Sequence, residues 1–87
     1  VTALPMVIVT ASITANGTAY AAQAECPATH YDSMAEVRGR MLKGALGELW
    51  SMLMGAMSPD QLPFPAKDFR SLAAIDVTRR ELEIGSE

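Results

Sequence analysis

From Val7 to Glu25 the chain alternates apolar and polar residues about the dipeptide Asn16-Gly17. Both positions of that dipeptide tolerate the positive φ a type I′ turn demands, so it predicts a two-residue hairpin loop. Pairing outward from the loop puts Ala15 opposite Thr18, Ile13 opposite Tyr20, Ala11 opposite Ala22, Val9 opposite Ala24 and Val7 opposite Cys26. One face then carries Val7, Val9, Ala11, Ile13, Tyr20, Ala22, Ala24 and Cys26. The other carries Ile8, Thr10, Ser12, Thr14, Ala19, Ala21, Gln23 and Glu25. A one-residue slip would spoil this sorting. A lone hairpin is marginal in water, so it must pack on something.

After a connection over Pro27–Asp32 the period changes to that of a helix. Ser33-Met34-Ala35-Glu36 fits a capping box and predicts a long helix from Ser33 to Met57. Met34, Val37, Met41, Leu42, Ala45, Leu49, Met52, Leu53 and Ala56 share one broad face that should cover the hairpin, with Met34, Met41 and Met52 in the core. Glu36, Arg40 and Lys43 lie opposite, the first two spaced for an i,i+4 ion pair. The second half breaks this order. Residues 49–57 carry no charge, Trp50 and Met54 point to the formerly polar side, and Leu46 and Met57 bridge them to the core face. Gly47, Ser51 and Gly55 form a small-residue stripe at spacing four. Interior glycines weaken a helix by about 1 kcal/mol each, and close approach of another backbone would offset that.

Ser58-Pro59-Asp60 ends the helix and Pro63 and Pro65 keep the next stretch extended. Lys67 to Ala74 reads as a short helix with Phe69, Leu72 and Ala73 inward. The tail from Ile75 to Ile84 reads as a third strand in preference to a helix boxed by Thr78-Arg79-Arg80-Glu81, since a two-stranded hairpin needs a third strand.

Composition narrows the class. The 87 residues are 49 per cent hydrophobic and 20 per cent charged, the balance of one small globular domain spanning 1–87. A net charge of −3 argues against a nucleic-acid backbone as main partner. The single cysteine, Cys26, excludes an internal disulfide and points to a reducing compartment, the cytoplasm. Leu4 to Ile13, followed by Ala19-Tyr20-Ala21 and Ala22-Gln23-Ala24, imitates a signal peptide. Against that, no Lys or Arg precedes the run, and Thr10, Ser12 and Thr14 interrupt it. No run reaches the roughly 18–20 apolar residues of a membrane span. Abundant alanine, five arginines to two lysines and a valine in first position are expected of a GC-rich bacterial or phage gene.

Glu25-Cys26-Pro27-Ala28-Thr29-His30-Tyr31-Asp32 is the densest chemical stretch. A Cys26/His30 nucleophilic pair would make a small hydrolase, but the register turns Cys26 toward the core, and one Cys with one His falls short of a zinc ligand set. The expectation is therefore no enzyme, no metal and no cofactor. Leu72 to Leu82 resembles a helix-turn-helix in its Ala and Val-Thr steps, which implies a DNA-binding repressor. Asp76 stands where that motif has its turn glycine, and Asp76, Glu81 and Glu83 cancel Arg79 and Arg80. Over residues 6–50, the strand–Asn-Gly–strand–helix order is similar in outline to the partial RNase-H-like domain of HicB-type antitoxins.

The sequence thus predicts a small α+β fold in which an N-terminal antiparallel hairpin packs on one long helix and the C-terminal segment adds a strand. Its spare apolar surface predicts a non-enzymatic protein–protein interaction module, a homodimer or bound to another protein. The expected interface is Leu46, Gly47, Trp50, Ser51, Met54 and Met57, with Trp50 as aromatic anchor. The alternative is a phage- or mobile-element-type acidic inhibitor or antitoxin that blocks a host enzyme.

Overall fold

The computed structural model describes residues 2–84, with side chains over 4–81. Three strands, β1 (Thr2–Ala15), β2 (Thr18–Pro27) and β3 (Ala74–Ile84), form an antiparallel sheet in the order β2-β1-β3. Between β2 and β3 lie a short helix α1 (Ala28–Ser33), the long helix α2 (Ala35–Ala56), two 3-10 turns (Pro59–Gln61 and Ala66–Asp68) and a final turn of helix α3 (Phe69–Leu72). The fold is α+β, with one helical layer on one sheet layer.

The hairpin follows its sequence pattern pair for pair. Ala15 opposes Thr18, Ile13 opposes Tyr20, and the register runs unbroken to Val7 opposite Cys26 and Met6 opposite Pro27. Asn16 and Gly17 have φ of 52° and 81°, the left-handed values of the expected turn. The tail is a strand, and it enters beside β1, with Val9 opposite Val77 and Ala11 opposite Ile75. Its strand geometry rules out the helix-turn-helix reading, which needs residues 78–82 helical.

The core lies between α2 and one face of β1 and β2. Val7, Val9, Ala11, Ile13, Ala15 and Ala22 meet Met41, Ala45, Leu46, Leu49 and Leu53, with Tyr20, Ala24 and Cys26 partly buried at its border. Met41, Ala45, Leu49 and Leu53 form one i,i+4 row, so α2 crosses the sheet along that ridge. Such a row drifts around the helix. Leu42 and Met52, on the same straight stripe by sequence, fall on opposite flanks and are exposed, as is Met34. Only Met41 of the three methionines expected in the core is there.

The start of the long helix also departs from expectation. Residues 28–33 already form α1, and the chain breaks at Met34, whose extended backbone (φ −128°, ψ 113°) caps α2 without a side-chain hydrogen bond. Ser33 is therefore the last residue of α1. Its hydroxyl donates to the Thr29 carbonyl at 2.6 Å instead of forming a capping box with Glu36. Glu36 and Arg40 make no ion pair; the two found among the described residues are Arg79–Asp32 and Arg80–Glu25.

Among the described residues no second layer covers the sheet's other face. Ile8 is nonetheless only 6 % exposed there. It is paired with Glu25 on one side and Thr78 on the other, and the Arg80–Glu25 ion pair at 3.5 Å spans the central strand. Glu25 and Arg80 flank it on that face, and their aliphatic stems are long enough to shield it from water.

Candidate interaction surface

The six residues expected to form an interface divide in the structure. Leu46 is buried in the core. Trp50 is half-buried, its ring meeting that of Phe69 edge to face at 5.0 Å between centroids. Met54 and Met57 are partly buried against the core, and Gly47 and Ser51 are exposed. The reason is the return of the chain. The 3-10 turns and prolines between α2 and α3 bring Phe69 back onto α2, where it is buried. Leu46, Gly47 and Trp50, with Lys43, Phe69 and Arg70, line a notch of about 230 Å³ between the two helices. Met57 turns toward the hairpin loop, where Asn16 Nδ2 lies 3.7 Å from its Sδ and donates to the Gln61 carbonyl at 3.2 Å.

Phe69 covers only one end of its flank. Leu42, Leu46 and Trp50 form a second i,i+4 row beside the core row. Its Trp50 end is capped by Phe69, while Leu42 stays 38 % exposed.

A second bare surface is on β3. Helix α2 packs on β2 and β1. The β3 residues that share its side of the sheet, Ile75 beside Ala11 and Val77 beside Val9, remain 42 % and 43 % exposed. In the sheet β3 pairs with β1 alone, so among the described residues its outer backbone edge is free. Sequence reasoning misses this surface. The alternation of Ile75 and Val77 signals a buried face, but nothing in one strand's pattern tells how far a helix on the neighbouring strands reaches.

Toward α1 this row ends in a charged clamp. Arg79, opposite Val7 on the helix side, donates from Nη2 to Asp32 Oδ1 at 2.7 Å and from Nη1 to Oδ2 at 3.1 Å, and its guanidinium carbon sits 5.9 Å from the Tyr31 ring centroid. Hydrogen bonding from Arg79 holds the Asp32 carboxyl below its ordinary range, and Asp32 in turn raises Arg79. Arg38 fastens the same turn from α2, donating to the Tyr31 carbonyl at 2.7 Å and the Asp32 carbonyl at 3.2 Å.

Cys26, at the end of β2, sits close enough to feel this clamp. Partial burial, then the Asp32 carboxylate, push its thiol above the ordinary value, against a smaller opposing effect of a backbone hydrogen bond at Tyr31. A nucleophilic cysteine needs the reverse, a cationic surrounding that favours the thiolate. His30 is exposed on α1. Among the described residues no three His, Cys, Asp or Glu side chains are grouped to hold a metal ion.

A cleft of about 460 Å³ opens near the hairpin end, where β1 runs past the start of β3. Ser12, Ile13, Thr14, Ala19, Phe64, Leu72 and Ala74 line it. Among the described residues its lining includes no titratable side chain, and its polar groups include the hydroxyls of Ser12 and Thr14. Among the described residues no helix is long and apolar enough to cross a membrane.

No protein-family model matches this chain, and comparison with curated proteins and with solved structures gives no match.

Proposed function

We infer that this chain is a non-enzymatic protein–protein interaction module, joining a second protein through apolar surface that its own fold leaves bare. The observation that carries this reading is the mismatch between the layers: α2 covers β2 and β1 but not β3, so Ile75 and Val77 stand exposed on the side of the sheet that elsewhere forms the core. Adjacent apolar side chains beside a free strand edge are a common basis for recognition, since main-chain hydrogen bonds supply affinity and alternate side chains supply selectivity. Leu42 on α2 and Leu72 on α3, the latter exposed where the sequence pattern expects it inward, add two more exposed aliphatic side chains, and the notch beside Trp50 another point of contact.

The test is the double substitution Ile75→Ser, Val77→Ser. Both side chains are exposed, so the folded chain should keep its circular dichroism and cooperative melting. Its association, followed as molar mass by light scattering and as retention of any protein bound by the wild type, should be lost. A variant that associates as the wild type does would overturn the reading. So would a wild-type chain that stays monomeric at high concentration and retains no protein.

A further inference from the structure

We propose that the partner is a second copy of this chain, added through the free edge of β3 so that the two sheets join into one of six strands, with Thr78 on the two-fold axis. This rests on the reading above and names its partner.

The edge itself is the first observation. β3 runs from Ala74 to Ile84 without a proline or a lysine, and its outer backbone groups have no neighbour in the sheet among the described residues. Natural proteins usually blunt so long an edge. Here the blunting devices are charges, and their order makes them selective.

Antiparallel pairing of β3 with itself in the register that opposes Thr78 to Thr78 places Asp76 opposite Arg80 of the second copy, and Arg80 opposite its Asp76, where Asp76 shares the guanidinium that Glu25 holds loosely at 3.5 Å within one chain. Thr78, Asp76 and Arg80 share the open face of the sheet, since their β1 partners are Ile8, Thr10 and Met6. On the helix side the same register sets Val77 opposite Arg79 and Ile75 opposite Glu81, so each exposed aliphatic residue lies against the stem of a long polar side chain. Opposite charges and paired threonines facing each other across a ladder are favourable, and like charges are not. Sliding the pair by one step, to centre on Arg79, stacks two arginines on the axis. Centring on Val77 leaves Asp76 facing Thr78 and wastes both ion pairs. The charge pattern therefore singles out one register.

A second observation agrees. β2 ends its pairing at Met6 opposite Pro27, so among the described residues Thr2 to Pro5 pair only with Glu81 to Ile84. That overhang is a two-stranded ribbon, a marginal structure by itself. In the Thr78-centred register the Ala74–Asp76 end of the second copy lies alongside Arg80–Leu82, adding a third strand where the ribbon leaves the sheet.

The test is a charge swap. Asp76→Arg and Arg80→Asp, each alone, place like charges opposite one another twice per dimer and should weaken self-association by about tenfold or more. Mixed together, the two variants restore both oppositions, because one copy then presents arginine at both positions and the other presents aspartate at both. They should form a heterodimer near wild-type affinity. Light scattering over a dilution series reads the mass, and circular dichroism confirms folding, since Arg80→Asp also removes the Glu25 pair. Should either variant fail to fold, Thr78→Cys in a Cys26→Ala background replaces them. Mild oxidation should cross-link it into a covalent dimer through the axis.

Three results would overturn the proposal: a wild-type chain that is monomeric throughout, a dimer that both single variants leave intact, or no cross-link at residue 78. The first two leave the interaction-module reading standing, with a foreign partner on the Ile75 and Val77 surface or with the β3 edges paired in another register. That reading falls on the Ile75, Val77 variant instead.

Discussion

Arg79 grips Asp32 with two nitrogens on two oxygens, joining the last strand to the short helix that precedes α2 across 47 residues of chain. The clamp is solvent-exposed, so its effect on stability is modest. Its sign with pH is fixed by the direction of the Asp32 shift. A carboxyl whose folded pKa lies below its unfolded one stabilises the fold above the unfolded value, and that contribution is lost as pH falls through the lowered folded value. Asp32→Asn should lower the melting temperature at neutral pH, and the difference from wild type should close in acid below the ordinary aspartate range. A constant difference across pH would show that the carboxylate charge is not what holds α1 to β3.

Phe69 should be the most costly residue to truncate outside the α2 ridge. It is buried, and its ring caps Trp50. Phe69→Ala should reduce unfolding free energy by about 3–5 kcal/mol in urea titration and shift Trp50 fluorescence to the red. Unchanged emission would mean that the return segment does not hold the indole.

The helical glycines have open space where a side chain would go. A Cβ at Gly47 or Gly55 meets nothing within 4 Å. Gly47→Ala and Gly55→Ala should each stabilise the folded chain by about 0.8–1 kcal/mol through helix propensity. Among the described residues, then, no neighbouring backbone lies against Gly47 or Gly55. Gly17 is the contrast: at φ +81° its replacement by alanine should destabilise. Chemical denaturation of the three variants gives both signs in one experiment.

Cys26 should be a slow thiol. Burial and the Asp32 carboxylate disfavour its thiolate, so iodoacetamide should modify it more slowly at neutral pH than free cysteine, with the rate climbing only above the ordinary thiol range. The same shift makes a small pH-dependent contribution to the fold that is present below the unfolded thiol value and fades as pH rises through the higher folded one. Fast alkylation at neutral pH would reopen the Cys26/His30 hydrolase.

Legibility in the sequence tracks the range of the interactions. The hairpin register is readable because Asn16-Gly17 sets the loop and every residue from Val7 to Cys26 then has one possible opposite. The third strand is readable by need, since the hairpin is too little sheet to stand alone. The face of α2 is only half readable. A helical wheel averages over a straight stripe, whereas contact follows the drifting row Met41, Ala45, Leu49, Leu53, and that drift exposes Leu42 and Met52. Ser33 carries a true cap-like pattern that α1 consumes, its hydroxyl bonding backward to Thr29. Trp50 looks unpartnered by sequence because Phe69 reaches it only through a proline-punctuated return. The Asp32–Arg79 clamp and the bare row Ile75, Val77 depend on which strands the helix overlies, which no local pattern encodes.

The strand order carries one more consequence. β1 precedes the other two strands in the chain yet lies between them, flanked by its neighbour in sequence and by a strand that arrives only after all the helices. The hairpin and α2 can meet while the chain is still growing, but the second long edge of β1 stays unsatisfied until β3 closes it. During synthesis the nascent chain therefore holds an open sticky strand for as long as α2 and the proline-rich return take to emerge. Closure of the sheet waits on β3, and a ribosome stalled before Ala74 would display the same templating edge to any strand nearby.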